Sequence, residues 1–563
     1  MAGLSIVPWT ARAQTASPAI PQLGPESFSA TPRRPLPEIQ PAPAPPGFIP
    51  PPLAPPATGQ QVSGEARFVL RGVRFEGNTA IDSATLAGVA APFLGKTVGT
   101  ADLEELRRRV TVAYVERGYI TSGAVLPDQR VSDGLVLFRI VEGAVTRIDV
   151  TGTKALDPDY VRDRLQRGID RPVNIGEVER QLQLLLQDPN IARLNLELLP
   201  GVTPGEATLS ANAAEAQRFS LGATVANDEP PSIGGVHGEF DGIVRNVIGR
   251  GDALGLRLGR TGGLDDGGLL WAVPVTAADT TLSARFDYNQ ATVLDQAFVP
   301  LNVVSTVKTI GIGITQPVYR TVERRLTLGM EIDWRDSQTT LLGMPFSFTP
   351  GVENGRARAT VLRLSQDWID RELDQVFAAR STFNVGLPML GATVTDQPPT
   401  GRFLSWLGQM QYVRRVIGQS QLIARADVQL SHDPLFSFEQ IAIGGATTVR
   451  GYRENTLVRD NAVILSLEGR IPIFDLTLPR PFGEDLHGPI ELAPFADWGR
   501  GWNSELPTLR PSDISSVGLG LRWEAEQGWL AQLYYGYALR VIHQTPYDLQ
   551  DSGVHFRVTA RLY

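Results

Sequence analysis

Five histidines, His237, His432, His487, His543 and His555, are the side chains best suited to move a proton near neutral pH. They are scattered, without the spacing that lets several ligands reach one metal ion. Cysteine is absent, which excludes disulfide frameworks, cysteine zinc sites and thiol catalysis. No Gly-x-Ser-x-Gly nucleophile elbow stands out. Gly249-Arg250-Gly251 and Gly311-Ile312-Gly313 lie in alternating stretches with no strand-to-helix transition after them, so they are not dinucleotide loops. The run Gly444-Gly445-Ala446-Thr447-Thr448-Val449-Arg450-Gly451-Tyr452 is glycine-rich, but no Gly-Lys-Ser/Thr follows to make it a phosphate loop. The reading is of a protein that is not an enzyme and needs no cofactor or metal. Two short motifs with charged centres remain: the run around Arg450, and Phe495-Ala496-Asp497-Trp498-Gly499. In isolation the first reads as a hairpin loop with a surface arginine. Its meaning depends on the elements around it.

A chain of 563 residues is long enough for several domains. A net charge of -8, with no basic block, argues against a nucleic-acid partner. No apolar run approaches the roughly 18 residues of a membrane helix. The longest, Gly268 to Val275, is short and contains Pro274. A soluble protein satisfies that observation, and so does a β-barrel. Ala11-Arg12-Ala13-Gln14 resembles the small-residue cleavage site of a secretory signal, preceded by a short apolar stretch with no basic residue. Residues 1–65 read as the remnant of a signal peptide, or a disordered amino terminus, followed by a proline-rich linker of extended polyproline geometry.

Residues 66–143 read as one small α+β unit. A strand at Phe68–Phe75 precedes helices at Ser83–Ala91 and Ala101–Arg117, the second with Leu103, Leu106, Val110, Ala113 and Tyr114 at helical spacing. Strands at Ser122–Leu126 and Leu135–Val141 close it. Residues 144–214 repeat the order: a strand at Ala144–Val150, helices at Asp157–Leu165 and Ile175–Leu185, and strands at Leu194–Leu199 and Gly205–Ser210. From about residue 215 the period becomes two. Arg325 to Trp334 alternates without error, and Leu282, Ala284, Phe286 and Tyr288 alternate with Ser283, Arg285, Asp287 and Asn289. Periodicity alone does not separate a sandwich from a barrel, but about sixteen such segments suit tilted spanning strands. Mid-strand Arg285, Asp287, Glu331 and Asp333 suit a hydrated lumen better than a dry sandwich core. Eight of the nine tryptophans lie in this half, as interfacial girdles require.

Val449-Arg450-Gly451-Tyr452 resembles the sixth-loop motif of the outer-membrane transporters of two-partner (type Vb) secretion, the haemolysin secretion/activation family. The β-α-α-β-β units resemble polypeptide-transport-associated (POTRA) domains. The first carries Arg117-Gly118-Tyr119-Ile120-Thr121-Ser122 and then Leu126-Pro127-Asp128-Gln129, similar to the family's signature, here Gly118, Tyr119, Pro127 and Gln129. The second carries the family-like Pro200-Gly201 and Pro204-Gly205. The resemblance implies POTRA-like domains at 66–143 and 144–214, and a 16-stranded outer-membrane β-barrel over 215–563. It also implies that loop 438–460 folds into the lumen, with Gly444, Gly445, Val449, Arg450, Gly451 and Tyr452 in the loop motif. Phe495, Asp497 and Gly499 match the family's strand motif, which makes Asp497 the wall partner of Arg450 and Gly499 the place where the loop passes close. Glu468 faces the lumen by phase and joins the same network. In several relatives an amino-terminal helix plugs the barrel; no sustained helical pattern precedes the linker here.

The implied function is translocation of a secreted exoprotein that bears an amino-terminal secretion domain, captured in the periplasm by the POTRA domains through an exposed sheet edge. Outer-membrane lipid and the barrel-assembly machinery are the other implied partners. Val554 to Tyr563 ends on an aromatic, as many assembled barrels do, although Tyr563 lies off the apolar face. An outer-membrane protein insertase shares the loop motif but usually has five periplasmic domains. A passive porin normally has none, and a soluble β-rich enzyme lacks a site.

Overall fold

The computed structural model describes residues 36, 67–201, 203, 205–296, 298–349, 351–479, 485–525, 528–542 and 547–561. The signal-peptide remnant, the proline-rich linker apart from Leu36, Pro204, His543 and the terminal Tyr563 lie outside the described residues. The chain divides into two compact units, one ending at Ala216 and the other running from Gln217.

The first unit holds two α+β modules. In the first, β1 (Gly72–Glu76), α1 (Ser83–Ala90), α2 (Thr100–Val115), β2 (Gly123–Val125) and β3 (Leu135–Val141) follow in order. β3 is central, parallel to β1 and antiparallel to β2. Asp82 caps α1 by accepting from the Thr85 amide at 2.8 Å. Leu106, Val110 and Tyr114 of α2 pack on Phe138 and Ile140 of β3. The single strand expected over Phe68–Phe75 is interrupted: Phe68–Val69 pairs separately with Thr97–Val98, and the Leu70 amide donates to the Lys96 carbonyl. In the second module, β4 (Ala144–Thr151), α3 (Pro158–Arg167), α4 (Ile175–Leu186), β5 (Ile191–Pro200) and β6 (Glu206–Glu215) give the sheet order β4-β6-β5. β5 and β6 both extend well beyond the spans expected from the apolar alternation, because each supplies hydrogen-bond partners along the other's length.

Glu142 follows β3 directly. Its carboxylate accepts from the Thr79 and Ala80 amides at 2.7 and 2.8 Å, from the Thr79 hydroxyl, and from the Tyr114 hydroxyl at 2.9 Å. Burial pushes this carboxyl up, but the hydrogen bonds from Thr79, Ala80 and Tyr114 outweigh burial and hold it below its usual value of 4.5. A group depressed on folding stabilises the fold above its unfolded pKa, and that stabilisation is lost as the pH falls through the folded pKa. The thermal midpoint of the described α+β unit is therefore expected to fall below pH 4.5, and Glu142→Gln to flatten that dependence. An unchanged slope in the variant would assign the acid sensitivity elsewhere.

The second unit is a closed antiparallel barrel of sixteen strands. They are β7 (Phe219–Ala226), β8 (His237–Arg245), β9 (Ala253–Arg260), β10 (Leu264–Pro274), β11 (Thr281–Thr292), β12 (Val304–Arg320), β13 (Arg324–Leu341), β14 (Arg356–Arg371), β15 (Gln375–Leu387), β16 (Leu404–Arg415), β17 (Gln421–Ser431), β18 (Asn461–Leu478), β19 (Leu486–Trp502), β20 (Asp513–Ala525), β21 (Trp529–Ala538) and β22 (Val554–Arg561). The ring closes where β22 pairs with β7, from Arg557↔Ala226 to Arg561↔Gly222. Closure removes every free edge, the condition for strands to cross a membrane. The alternation left open by periodicity resolves in one sense. Ile312, Met330 and Leu519 are 63%, 51% and 47% exposed on the outside, while Asp333, Arg522 and Arg285 are 0%, 4% and 6% exposed inside. No helix among the described residues is long and apolar enough to cross a membrane.

The interior departs from a simply hydrated lumen. Arg285 pairs with Asp333 at 2.6 Å and Asp287 at 3.1 Å, all three buried, and with the partly exposed Glu331 at 2.8 Å. Leu36 packs against the inward-facing Val376, Ala378, Val413 and Ile423.

Candidate functional site

Between β17 and β18, the eleventh and twelfth strands of the barrel, the connection, sixth of the loops on its side, turns into the barrel. Its tip is a short hairpin, Ile441–Ile443 paired with Leu457–Arg459. Gly444 and Gly445 take φ values of 111° and 101° where the chain leaves the first of these strands, a region open to glycine at no steric cost. The Gly444 amide donates to Thr448 Oγ1 at 2.8 Å. Val449, Tyr452, Ile441, Ile443 and Leu457 of the loop form one apolar cluster with Leu407, Ile464 and Ile514 of the wall. These wall residues are apolar positions on the inward face, so burial against the loop, rather than water, sets their type.

Arg450 lies at the centre. Its Nε and Nη2 donate to the two Asp497 carboxylate oxygens at 2.8 and 2.9 Å, and its own amide donates to Asp497 Oδ2 at 3.0 Å. This is the bidentate fork geometry that lysine cannot supply. Arg450 Nη1 pairs with Glu468, and Nη2 reaches Ser466 Oγ at 3.2 Å. Arg470 Nε donates to the other Glu468 oxygen at 2.9 Å. The guanidinium carbon lies 3.7 Å from the ring centre of Phe495 and 4.9 Å from that of Tyr534, a cation held between aromatic faces. Arg450, Asp497 and Glu468 are 4%, 3% and 1% exposed. A hydrated lumen would screen such a pair; here the loop and two rings bury it and leave the charges to one another.

Gly499, on β19, faces the loop. A methyl there would collide with Ile443 Cγ2 and lie 3.0 Å from Val449 Cγ2. Gly451 (φ 87°) comes so close to Gly536 of β21 that a methyl on it would lie 2.7 Å from the Gly536 carbonyl oxygen. The Gly451 amide donates to His555 Nε2 at 3.1 Å, and the Tyr452 hydroxyl lies 2.9 Å from the Ser515 carbonyl oxygen. Further along, Arg453 pairs with Asp551 at 2.5 Å and the Glu454 amide donates to Gln550 Oε1 at 2.8 Å.

Tyr534, Gly536, Gln550 and Asp551 were not singled out from sequence, and His555 was named only among the scattered histidines, not as a partner of the loop. Tyr534 and His555 could have been, since each sits at a polar position flanked by residues of the outward apolar face. The contacts of Gln550 and Asp551 follow only from the path of the loop.

In the first α+β module Gly118 (φ 89°) accepts at its carbonyl from the Ile175 amide at 3.0 Å, and Asn174 Nδ2 donates to the Arg117 carbonyl at 2.9 Å. This turn thus receives the start of α4 from the second module. Tyr119 is half-buried, its ring edge-on to Tyr114 at 6.1 Å. The Gln129 amide both donates to the Leu137 carbonyl and accepts from the Leu137 amide, each at 2.8 Å, beyond the end of β2. Pro127 begins the excursion that brings Gln129 there. The signature residues therefore complete a sheet edge and a joint.

One metal-like grouping escaped the reading of histidine spacing: ligand atoms of His237, Glu239 and Asp266 lie within 4.8 Å of one another. Arg257 pairs with Asp266 at 2.6 Å and with Glu239 at 3.3 Å, so a guanidinium already supplies the positive charge.

A closed lipid-facing barrel with an inward loop ion-paired to its wall, following α+β modules, defines an outer-membrane transporter. The description "haemolysin secretion/activation protein ShlB/FhaC/HecB" matches residues 205–523, and "POTRA domain, ShlB-type" matches residues 68–143. The chain belongs to that haemolysin secretion/activation family and resides in the outer membrane, with its POTRA domain in the periplasm. Outer membrane transporter CdiB of Dickeya dadantii (strain 3937) is 22% identical over 69% of this chain and 69% of that protein. Heme/hemopexin transporter protein HuxB of Haemophilus influenzae (strain 86-028NP) is 28% identical over 35% of this chain and 36% of that one. The structure of CdiB from Escherichia coli shares the fold with a TM-score of 0.64 at 18% identity, covering 91% of this chain and 93% of that chain. BamA from Haemophilus ducreyi lacking POTRA domains 1–3 follows at a TM-score of 0.53 and 14% identity, covering 88% of this chain and 100% of that chain.

Proposed function

We propose that this transporter exports a partner exoprotein, adhesin- or haemolysin-like, whose amino-terminal secretion domain is captured by the α+β modules and passed into the barrel. The second module is read as a further POTRA domain on its β-α-α-β-β order. The observation that carries the proposal is the Arg450–Asp497 fork, which holds an inward loop on the lumen wall of a barrel preceded by these modules. β5 is an edge strand of ten residues with one side unpaired in its sheet. Such an edge accepts an extended chain through backbone hydrogen bonds, without reading its sequence closely. An unfolded client offers that chain. Folding outside the cell supplies the drive, so no nucleotide is needed.

Deleting residues 66–214 is expected to leave a barrel that still inserts and shows heat-modifiable migration but exports nothing, measured as client in the medium. Export at normal yield from that variant would remove the capture role. The fold shared with BamA leaves an insertase as the second reading, and a client assembled into the membrane rather than released would favour it.

A further inference from the structure

The sixth loop also meets charged wall residues away from Arg450. This contact lies on the entering limb, before the run that begins at Gly444. Leu435 and Phe436 pack with Val352, Ala357, Ala359, Val361 and Phe403, and Phe436 is 1% exposed. Ala357, Ala359 and Val361 share the inward face of β14 with Arg363, so the limb has an apolar seat on the wall. The Glu439 and Gln440 amides both donate to the Phe436 carbonyl, at 2.8 and 3.2 Å, forming a tight turn. That turn presents Glu439 to two guanidiniums. Arg363 Nη2 lies 2.9 Å and Arg335 Nη1 3.3 Å from Glu439 Oε1, and Arg335 Nη1 also donates to the Phe438 carbonyl at 2.7 Å. Arg363 Nε is bound to Asp333 at 2.7 Å, which in turn holds Arg285. Glu439 and Arg335 are 2% and 1% exposed. Charges this dry persist only when matched.

We infer that Glu439 is a positioning residue: with Arg335 and Arg363 it forms a second clamp that seats the sixth loop on β13 and β14, independently of the Arg450 clamp on β18 and β19. The two clamps stand on wall segments four strands apart around the ring, from β14 to β18. Each fixes one limb of the loop, so the loop stays across the lumen only while both hold. The inference rests on the reading above of an inward loop held on the lumen wall, where it narrows the conduit, and its test does not use export.

The experiment is single-channel recording of the full chain in planar bilayers, comparing the parent with Glu439→Gln, Glu439→Asp, Arg450→Ala and the double variant Glu439→Gln/Arg450→Ala. Glu439→Gln keeps the shape and removes the charge. It is expected to raise the time spent in the large-conductance state about tenfold, the change that about 1.4 kcal/mol produces. The reversal potential in a salt gradient should move toward anions, because Arg335 and Arg363 remain. Glu439→Asp, which keeps the carboxylate, should lie between Glu439→Gln and the parent. The double variant should exceed either single one. Arg335→Gln, removing the wall side of the same clamp, should likewise raise the time spent in the large-conductance state, with the reversal potential moving toward cations instead, and serves if Glu439→Gln does not fold. If Arg450→Ala opens the channel while Glu439→Gln and Arg335→Gln match the parent in both readouts, the second clamp is overturned and the loop reading stands. If none of these variants changes the recordings, the loop does not narrow the conduit and both ideas fall.

Discussion

Arg450→Ala is expected to reach the outer membrane as a folded, heat-modifiable barrel and to lose nearly all export of the client. The replacement leaves the Asp497 carboxylate facing an empty fork, with Glu468 deprived of one of its two arginines. Removing one partner of a buried pair costs roughly 3–5 kcal/mol. The low exposure of all three groups places this site toward that range rather than toward the small values of solvent-screened pairs. The barrel survives, since its sixteen-strand ladder does not run through the loop. Arg450→Lys should fail almost as badly. A single ammonium does not bind both Asp497 oxygens, reach Glu468 and lie flat over Phe495. A double-mutant cycle with Asp497→Ala, read as secreted client, should give losses well short of additive. Additive losses would leave two independent lumen charges with no functional pair.

The second large effect is expected from one methyl group. Gly499→Ala pushes a carbon into Ile443 and Val449, both fully buried in the loop cluster. Overpacking of this kind costs roughly 1–3 kcal/mol, and here the cheapest relief is displacement of the loop from β19. That displacement lengthens the Arg450–Asp497 contacts, so export should fall and channel openings should become more frequent. Gly469→Ala is the control, since its methyl would meet only Pro494 Cγ at an ordinary 3.5 Å. Equal export from the two alanine variants would mean that close approach at Gly499 does not position the loop.

Much of the architecture was legible because barrel strands obey one local rule. The alternation of Leu282, Ala284 and Phe286 with Ser283, Arg285 and Asp287 states which residues share a face, whatever the neighbours are. Helical spacing in Leu103, Leu106, Val110 and Tyr114 did the same for α2. Boundaries were less legible. The break between Val69 and Gly72 depends on pairing with Thr97–Val98, a partner that local pattern does not reveal. The apolar inward residues Ala357, Ala359 and Val361 are ordinary members of a strand until the loop limb is seen lying on them.

From sequence alone came the period of two, the direction in which charges and apolar groups separate, the loop glycines and the two motifs that carry Arg450 and Asp497. These are properties of residue type and spacing, set by backbone geometry within a few positions. Which face looks outward was decided by closure, when β22 paired with β7 and turned the apolar faces away from the axis. The dryness of the ion pair was decided by tertiary structure too. It depends on Phe495, Tyr534 and the Gly451–Gly536 approach, which bring together residues from the loop, β19 and β21. Burial is a sum over neighbours distant in the chain, and no local pattern contains that sum. The Glu439 clamp has the same origin: one glutamate in a loop acquires its two arginines only when the barrel has closed around it.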